Sequence, residues 1–328
     1  MTGHATRLGR RSLAALPAAA ILPGGARAQN PWPERPVRVI VPYAPGGAND
    51  ILGRLYGARL GERLGQPFVV ENRPGAQAII GTELVARAAP DGHTLLVGAS
   101  GPMVFNPATY ERLPYDTLRD LAPVSLLASF PLALVVAANA PFPDLPALLA
   151  FARAHPERAN YGASAASFQL PTELLNQRAG TRFTYVAYRG SADTVNAVAN
   201  GEITMALVDT GPAAVAHAAG RVRVLAVTAE RRLPAWPEAP TMAELGFPDL
   251  TVSLWSGLLA PAGTPGAIVQ RLAAECAAIT REEPIVQRLR ALSLEPVGST
   301  PEAFRAVIER ELPLWAEVAR RGNIRLER

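Results

Sequence analysis

The chain has 328 residues, 49% hydrophobic and 18% charged, with 31 Pro, 27 Gly and a single Cys, which is enough for two domains and too apolar for disorder. All 32 of its basic residues are Arg, which excludes Schiff-base catalysis and the phosphate-gripping lysine of a P-loop, and one Cys excludes an internal disulfide. The net charge of +4 is no argument for nucleic acid, because Arg7, Arg10, Arg11 and Arg27 stand in the first 28 residues, which hold no acid, leaving 28 Arg against 28 acids elsewhere.

At the N-terminus a basic start ending in Arg10-Arg11-Ser12 leads into an apolar stretch, 13–22, and then to Ala26-Arg27-Ala28. These are the three parts of a cleaved export signal, and they predict cleavage after Ala28. The alternative, a membrane anchor, needs roughly 20 apolar residues, about twice what is present. The paired arginines suit the twin-arginine route and the general secretory route fits as well. No Cys stands at the cut, so no lipid anchor is expected. The mature chain is expected in the periplasm, without inserting into the membrane.

Val37–Val41 is β-branched and bounded by Pro36 and Pro42, so it reads as a strand. The turn Ala44-Pro45-Gly46-Gly47 follows, then Asn49-Asp50 opens a helix with Ile51, Leu52, Leu55, Ala58 and Leu60 on roughly one face. The same grammar recurs as a strand at 68–70, a helix at 80–88 and a strand at 94–97. The longest apolar stretch outside the signal, 121–140, contains Pro123 and Pro131 and reads as a buried strand with flanking loops. Strands at 183–188, 203–208 and 222–227 alternate with helices at 191–200 and 212–219, and helices at 265–281, 284–292 and 301–320 make a mostly helical tail. The alternation predicts an α/β chain with mainly parallel sheets flanked by helices, in two lobes with a cleft between them. Ligands in such sheets sit beyond the carboxyl ends of strands, which points to the loops at 43–50, 98–106, 161–170 and 188–193.

The first of these loops, Gly46-Gly47-Ala48-Asn49-Asp50, offers bare backbone and a helix N-terminus to an anion, unless the glycines merely turn the chain and Asp50 merely caps the helix. Its glycine spacing is not that of a dinucleotide fingerprint. Gly162-Ala163-Ser164-Ala165-Ala166-Ser167, opening a helix near Gln169, is a second loop of small residues; it also reads as a degraded nucleophile elbow, with Asp193 or Asp209 and His217 in hydrolase order. Arg189, in Tyr188-Arg189-Gly190-Ser191, suits a carboxylate partner or plain solvation. Asp209 and Thr210 face the cleft or cap the next helix, and Trp255 walls a pocket or fills the core. His4, His93, His155 and His217 have no close spacing, so no zinc cage is expected.

In order along the chain, Val41-Pro42-Tyr43-Ala44-Pro45-Gly46-Gly47-Ala48-Asn49-Asp50, Leu64-Gly65-Gln66-Pro67 with Val70-Glu71-Asn72-Arg73-Pro74-Gly75-Ala76, Ala88-Ala89-Pro90-Asp91-Gly92-His93-Thr94-Leu95, Leu113-Pro114-Tyr115-Asp116, Asp120-Leu121-Ala122-Pro123-Val124, Tyr188-Arg189-Gly190-Ser191, Pro240-Thr241-Met242-Ala243-Glu244 and Leu258-Leu259-Ala260-Pro261-Ala262-Gly263-Thr264-Pro265 resemble the solute-binding proteins of tripartite tricarboxylate transporters, the Bug family. The resemblance covers essentially the whole mature chain. It implies a two-lobed, Venus-flytrap periplasmic binding protein, with lobe 1 at 29–131 and 254–328, lobe 2 at 132–253, and crossings near Pro131 and Leu254. It implies no enzyme and no cofactor or metal, but capture of a small organic carboxylate by backbone amides, small hydroxyls and bridging waters, for a membrane permease. The residues it points to are Tyr43, Ala44, Gly46, Gly47, Ala48, Asn49 and Asp50 on one side and Ser164, Ala165, Ala166, Ser167, Gln169, Tyr188, Gly190 and Ser191 on the other. Ser100, Gly101 and the loop on to Phe105, with Asp209, line the same cleft.

Three departures from the family pattern bear on the ligand. Gln77-Ala78-Ile79 replaces the usual Gly-Gly-Asn after Arg-Pro-Gly-Ala, and in the second-lobe loop Ala165 or Ala166 replaces the usual Gly and Gln169 the usual His. These changes predict a carboxylate with an apolar or aromatic body, with Ile79 and Ile80 adding apolar wall. A sensory receptor of the same fold and a secreted hydrolase using Ser164 are the alternatives.

Overall fold

The computed structural model describes residues 1–4 and 32–325, so the cleavage site expected after Ala28 lies outside the described residues. β1 (Val37–Val41) has the bounds its flanking prolines predict, with Val37, Val39 and Val41 packed on one face of the sheet and Ile40 on the other. α1 (Ala48–Leu64) ends at Gly65, whose φ of 76° lies in the left-handed region that costs glycine little. β2 (Phe68–Asn72), α2 (Ile79–Ala86) and β3 (Thr94–Ala99) follow, and β1 pairs parallel with both β2 and β3. Beyond a π-helical turn at Gly101–Phe105 and the short helices α3 (Asn106–Thr109) and α4 (Thr117–Asp120) runs one long strand, β4 (Leu121–Ala137).

A second run of elements comprises α5 (Leu145–Ala154), β5 (Asn160–Ala163), α6 (Ala166–Ala179), β6 (Thr184–Ala187), α7 (Ser191–Ala199), β7 (Ala206–Asp209), α8 (Thr210–Ala218) and β8 (Val222–Val227). After a 3₁₀ turn at Pro248–Leu250, β9 (Ser253–Pro261) leads to α9 (Gly266–Thr280), α10 (Glu283–Ala291), β10 (Glu295–Pro296) and α11 (Pro301–Gly322). From Trp32 onward the chain is one compact unit. Within it one sheet has the order β10-β4-β9-β3-β1-β2, and β7 and β8 pair with the later part of β4. β5 pairs parallel with β6 and is bridged from Tyr161 to Met205, just ahead of β7.

The α/β expectation holds, but the sheets are mixed rather than mainly parallel. β9 runs antiparallel to both β3 and β4, and β4 is antiparallel to β7, β8 and β10. The reason is topological: β4 carries the chain out of the first sheet and β9 brings it back, so the two run in opposite directions. The apolar stretch expected to be a strand with flanking loops is instead continuous over 17 residues. Its prolines fall where a missing N–H does least harm. Pro123 adjoins a register shift, and Pro131 is the last residue paired with β9, at Ser253, before Leu132 takes up pairing with Asp209 of β7.

Three apolar clusters hold these layers. One lies between the first sheet and α1, α9 and α10 and includes Tyr56, Leu95, Leu272 and Cys276. A larger one joins the opposite face to α5, α6 and α11, and a third packs α7 and α8 on β7 and β8. Trp255 resolves as core: it is 2% exposed, lies edge-on to Phe304 with ring centroids 5.1 Å apart, and its Nε1 donates to Glu311 Oε2 at 3.0 Å.

Candidate functional site

The carboxyl ends of β1, β3, β5 and β7 open onto one cavity of about 520 Å³, within the usual range for a small-molecule site. Three helices of eight residues or more begin at its wall. Ala48 and Asn49 contribute the start of α1, Ala166 and Ser167 that of α6, and Thr210 and Gly211 that of α8. The first amides of a helix have no partner inside it. At α4, α5 and α11 the side chains of Asp116, Asp144 and Thr300 accept from such amides. At α1, α6 and α8 the caps are Gly47, Ala165 and Asp209, and none makes a side-chain capping bond. A bare start is not unique to this wall, since α2, α7, α9 and α10 have one too. What singles out the cavity is that three of them converge on it.

No Arg or His stands among the lining residues, and Asp209 is the one acid there. The wall is otherwise polar through Asn49, Gln77, Ser100, Asn106, Ser164, Ser167 and Gln169 and apolar through Phe105, Phe130, Phe168 and Leu254. Such a surface replaces the water around an anion with fixed dipoles and leaves room for an apolar body, without burying a full positive charge.

Several neighbours fix the polar groups. The hydroxyl of Ser256, buried on β9, donates to Asn49 Oδ1 at 2.6 Å, which leaves the Asn49 amide nitrogen as the free donor. Asn106 Nδ2 donates to the carbonyl of Gln77 at 2.9 Å. That loop is strained: Ala76, Gln77 and Ala78 have φ of 47°, 52° and 70°, three successive non-glycine residues in the left-handed region. Tyr43 is half-buried against Ser100 and Gly101 in the wall, and burial pushes its phenol well above the ordinary range.

Of the residues the sequence pointed to, Tyr43, Ala48, Asn49, Ser100, Gly101, Ser164, Ala165, Ala166, Ser167, Gln169 and Asp209 line the cavity. Ala44, Gly46, Gly47, Asp50, Tyr188, Gly190 and Ser191 do not. Asp50 is 4% exposed and its oxygens are already used, accepting from the Gly46 amide at 2.9 Å, Asn72 Nδ2 at 2.9 Å and Arg54 at 3.0 Å. Burial alone would raise its pKa, but these bonds outweigh that and hold it at about 2. It braces the loop instead of facing the cavity. Ser191 acts one step back, donating to Asp209 Oδ2 at 2.7 Å. Arg189 is exposed, which fits solvation.

Two expectations need correction. Ile79 is buried in the core and Ile80 is exposed near Gly75, so neither walls the cavity. The apolar wall comes from Phe105, Phe130, Phe168 and Leu254; Phe130 and Leu254 pair with each other between β4 and β9, beside the crossings that the resemblance implied near Pro131 and Leu254. The hydrolase arrangement is not assembled among the described residues, since His217 is exposed two turns into α8, with Nδ1 3.2 Å from the Val222 carbonyl, and Asp209 is engaged by Ser191. Thr210, read as facing the cleft or capping the helix, lines the cavity, as do Asn106 of the 98–106 loop and Gln77 of the departing stretch; missed were Tyr185, Gly211, Pro212 and the stretch Leu292, Ser293 and Leu294. The helix start predicted at 212 hid Gly211, while the last three come from far along the chain.

The family model described as the tripartite tricarboxylate transporter family receptor matches residues 53–323. BugT of Bordetella pertussis is 35% identical over 300 residues, covering 90% of this chain and 92% of BugT. Among solved structures, an R. palustris protein with adipate aligns with a TM-score of 0.77 at 34% identity, covering 90% of this chain and 99% of that one. MatC from Rhodopseudomonas palustris, with bound malate, aligns with a TM-score of 0.74 at 31% identity, covering 88% and 99%. With its α/β layers, its single cavity wall of helix starts and this match over most of its length, the chain belongs to the solute-binding receptor family of tripartite tricarboxylate transporters.

Proposed function

We propose that the chain is a periplasmic receptor that closes two lobes, 29–131 with 254–328 and 132–253, on a small carboxylate and delivers it to a membrane permease. The export segment is removed after Ala28, by the twin-arginine or the general secretory route, and the receptor uses no cofactor and turns nothing over. The observation that carries the reading is the convergence of the α1, α6 and α8 starts, uncapped by side chains, on a cavity lined by no cation. Amides and hydroxyls hold ligand oxygens directly or through ordered waters, each costing about 0–2 kcal/mol to immobilise. Capture near 1 μM needs only about −8 kcal/mol, which leaves release feasible. A ligand touching both lobes favours the closed population. The carboxylates bound by the two R. palustris neighbours, adipate and malate, support the ligand class, and Phe105, Phe130, Phe168 and Leu254 support an apolar body.

The test is a thermal-shift screen of the exported protein against mono-, di- and tricarboxylates with apolar and polar bodies, followed by calorimetry. A ligand at 100 times its Kd should stabilise the protein by about 2.7 kcal/mol. A screen in which no carboxylate shifts the melting temperature refutes the reading; a preference for citrate over acids with apolar bodies refutes its finer part.

A further inference from the structure

Two aspartates at helix starts beside the cavity are satisfied very differently. Asp50 receives donors on both oxygens, from Gly46, Arg54 and Asn72. Asp209, ahead of α8, receives the Ser191 hydroxyl at 2.7 Å on Oδ2, and among the described residues no donor reaches Oδ1 and no cation pairs with the group. Asp50 is turned away from the cavity, whereas Asp209 is in its wall. Burial raises the Asp209 pKa, with the Ser191 bond opposing it. A part-buried carboxylate short of donors is costly, and a donor carried in by the ligand recovers that cost. A second ligand carboxylate at the same place meets like charge instead.

We propose that Asp209 is the specificity-determining residue of this cavity: it accepts from a hydroxyl or ammonium at the far end of a ligand whose carboxylate is held at the starts of α1 and α6, and it disfavours a second carboxylate there. The inference rests on the carboxylate-receptor reading and adds the chemistry of the ligand's other end. The apolar side chains between, Phe105, Phe130, Phe168 and Leu254, suit the hydrocarbon linking the two ends.

The experiment titrates the exported protein calorimetrically with two matched series. One is adipate, 6-hydroxyhexanoate and 6-aminohexanoate; the other is succinate, 4-hydroxybutyrate and 4-aminobutyrate. Within each series only the far end changes. The wild-type protein should bind at least one donor-ended acid about ten- to a hundredfold tighter than the matching dicarboxylate, the worth of one hydrogen bond to a charged group. Asp209→Asn keeps an oxygen for Ser191, so the fold is retained, and should bring the ranking within about threefold by strengthening the dicarboxylate. Ser191→Ala, which strips the protein's own donor from Asp209, should keep or widen the wild-type preference. A wild-type ranking led by the dicarboxylates in both series, or a ranking that Asp209→Asn leaves unchanged, overturns the inference while leaving the carboxylate reading intact. If neither series binds, the inference is overturned, and the carboxylate reading stands or falls separately on the wider screen of mono-, di- and tricarboxylates.

Discussion

Replacing Asp50 by Asn tests whether the first loop is built by its own carboxylate. The perturbation removes the charge but keeps one oxygen for the Gly46 amide or Asn72, so the change isolates the ionised form. Holding a carboxyl at about 2 against an ordinary 3.8 is worth roughly 2.4 kcal/mol, and screening at Arg54, whose side chain is 55% exposed, trims this to about 1–2 kcal/mol. Because the folded pKa is depressed, the stabilisation is fully present above about pH 4 and is lost as the pH falls from there toward 2. Urea unfolding of wild type and Asp50→Asn at pH 7, 5, 4 and 3 measures the gap, and taking the difference cancels other acid-sensitive groups such as Glu71. The gap should be steady from pH 7 to 5 and shrink below pH 4. No gap at pH 7, or one as large at pH 3 as at pH 7, refutes the reasoning. Since Ala48 and Asn49 follow directly on the braced turn, the same variant should also weaken ligand binding.

Ser256→Ala frees the Asn49 amide to rotate and should weaken ligand binding roughly three- to tenfold by calorimetry, with little change in melting temperature. Gly257→Ala places a Cβ 2.4 Å from the fully buried Phe304 ring and 3.0 Å from the Ser125 carbonyl; it should cost about 1–3 kcal/mol or more in urea unfolding. Burial pushes the Cys276 thiol up to about 12, so a thiol reagent at pH 8 should label the folded protein no faster than global unfolding allows, with full labelling in denaturant.

Elements marked by local chemistry were legible in the sequence. Pro36 and Pro42 bracket β1, and the prolines at 284 and 301 open the last helices. The small residues at 48–49 and 164–167 read as cavity wall because a strand that ends in bare backbone before a helix has little else to offer, though Gly46 and Gly47, read the same way, stand outside it. What could not be read was set by contacts across long separations. Pro123 and Pro131 argue locally against a 17-residue strand, and only the exchange of β9 for β7 at Pro131 makes room for them. Asp50 and Asp209 look alike as acids at helix starts; that one is fully bonded and the other is not depends on Asn72 and Ser191, distant in sequence. Ile79 and Ile80 misled because neighbouring residues on a helix face different ways, one into the core and one to solvent. The left-handed run Ala76-Gln77-Ala78 is invisible to a propensity argument, since none of the three is glycine.

Among the described residues β4 is the one strand that pairs both with β9 and β10 and with β7 and β8. Severing the chain at Pro131 would leave β7 and β8 the part of β4 they pair with, but would part β9 from both its neighbours, β3 and the first part of β4, and would bare edges prone to aggregate on both fragments. Neither fragment is therefore a transplantable module, and engineering that swaps one half between relatives must keep β9 together with β3 and the first part of β4.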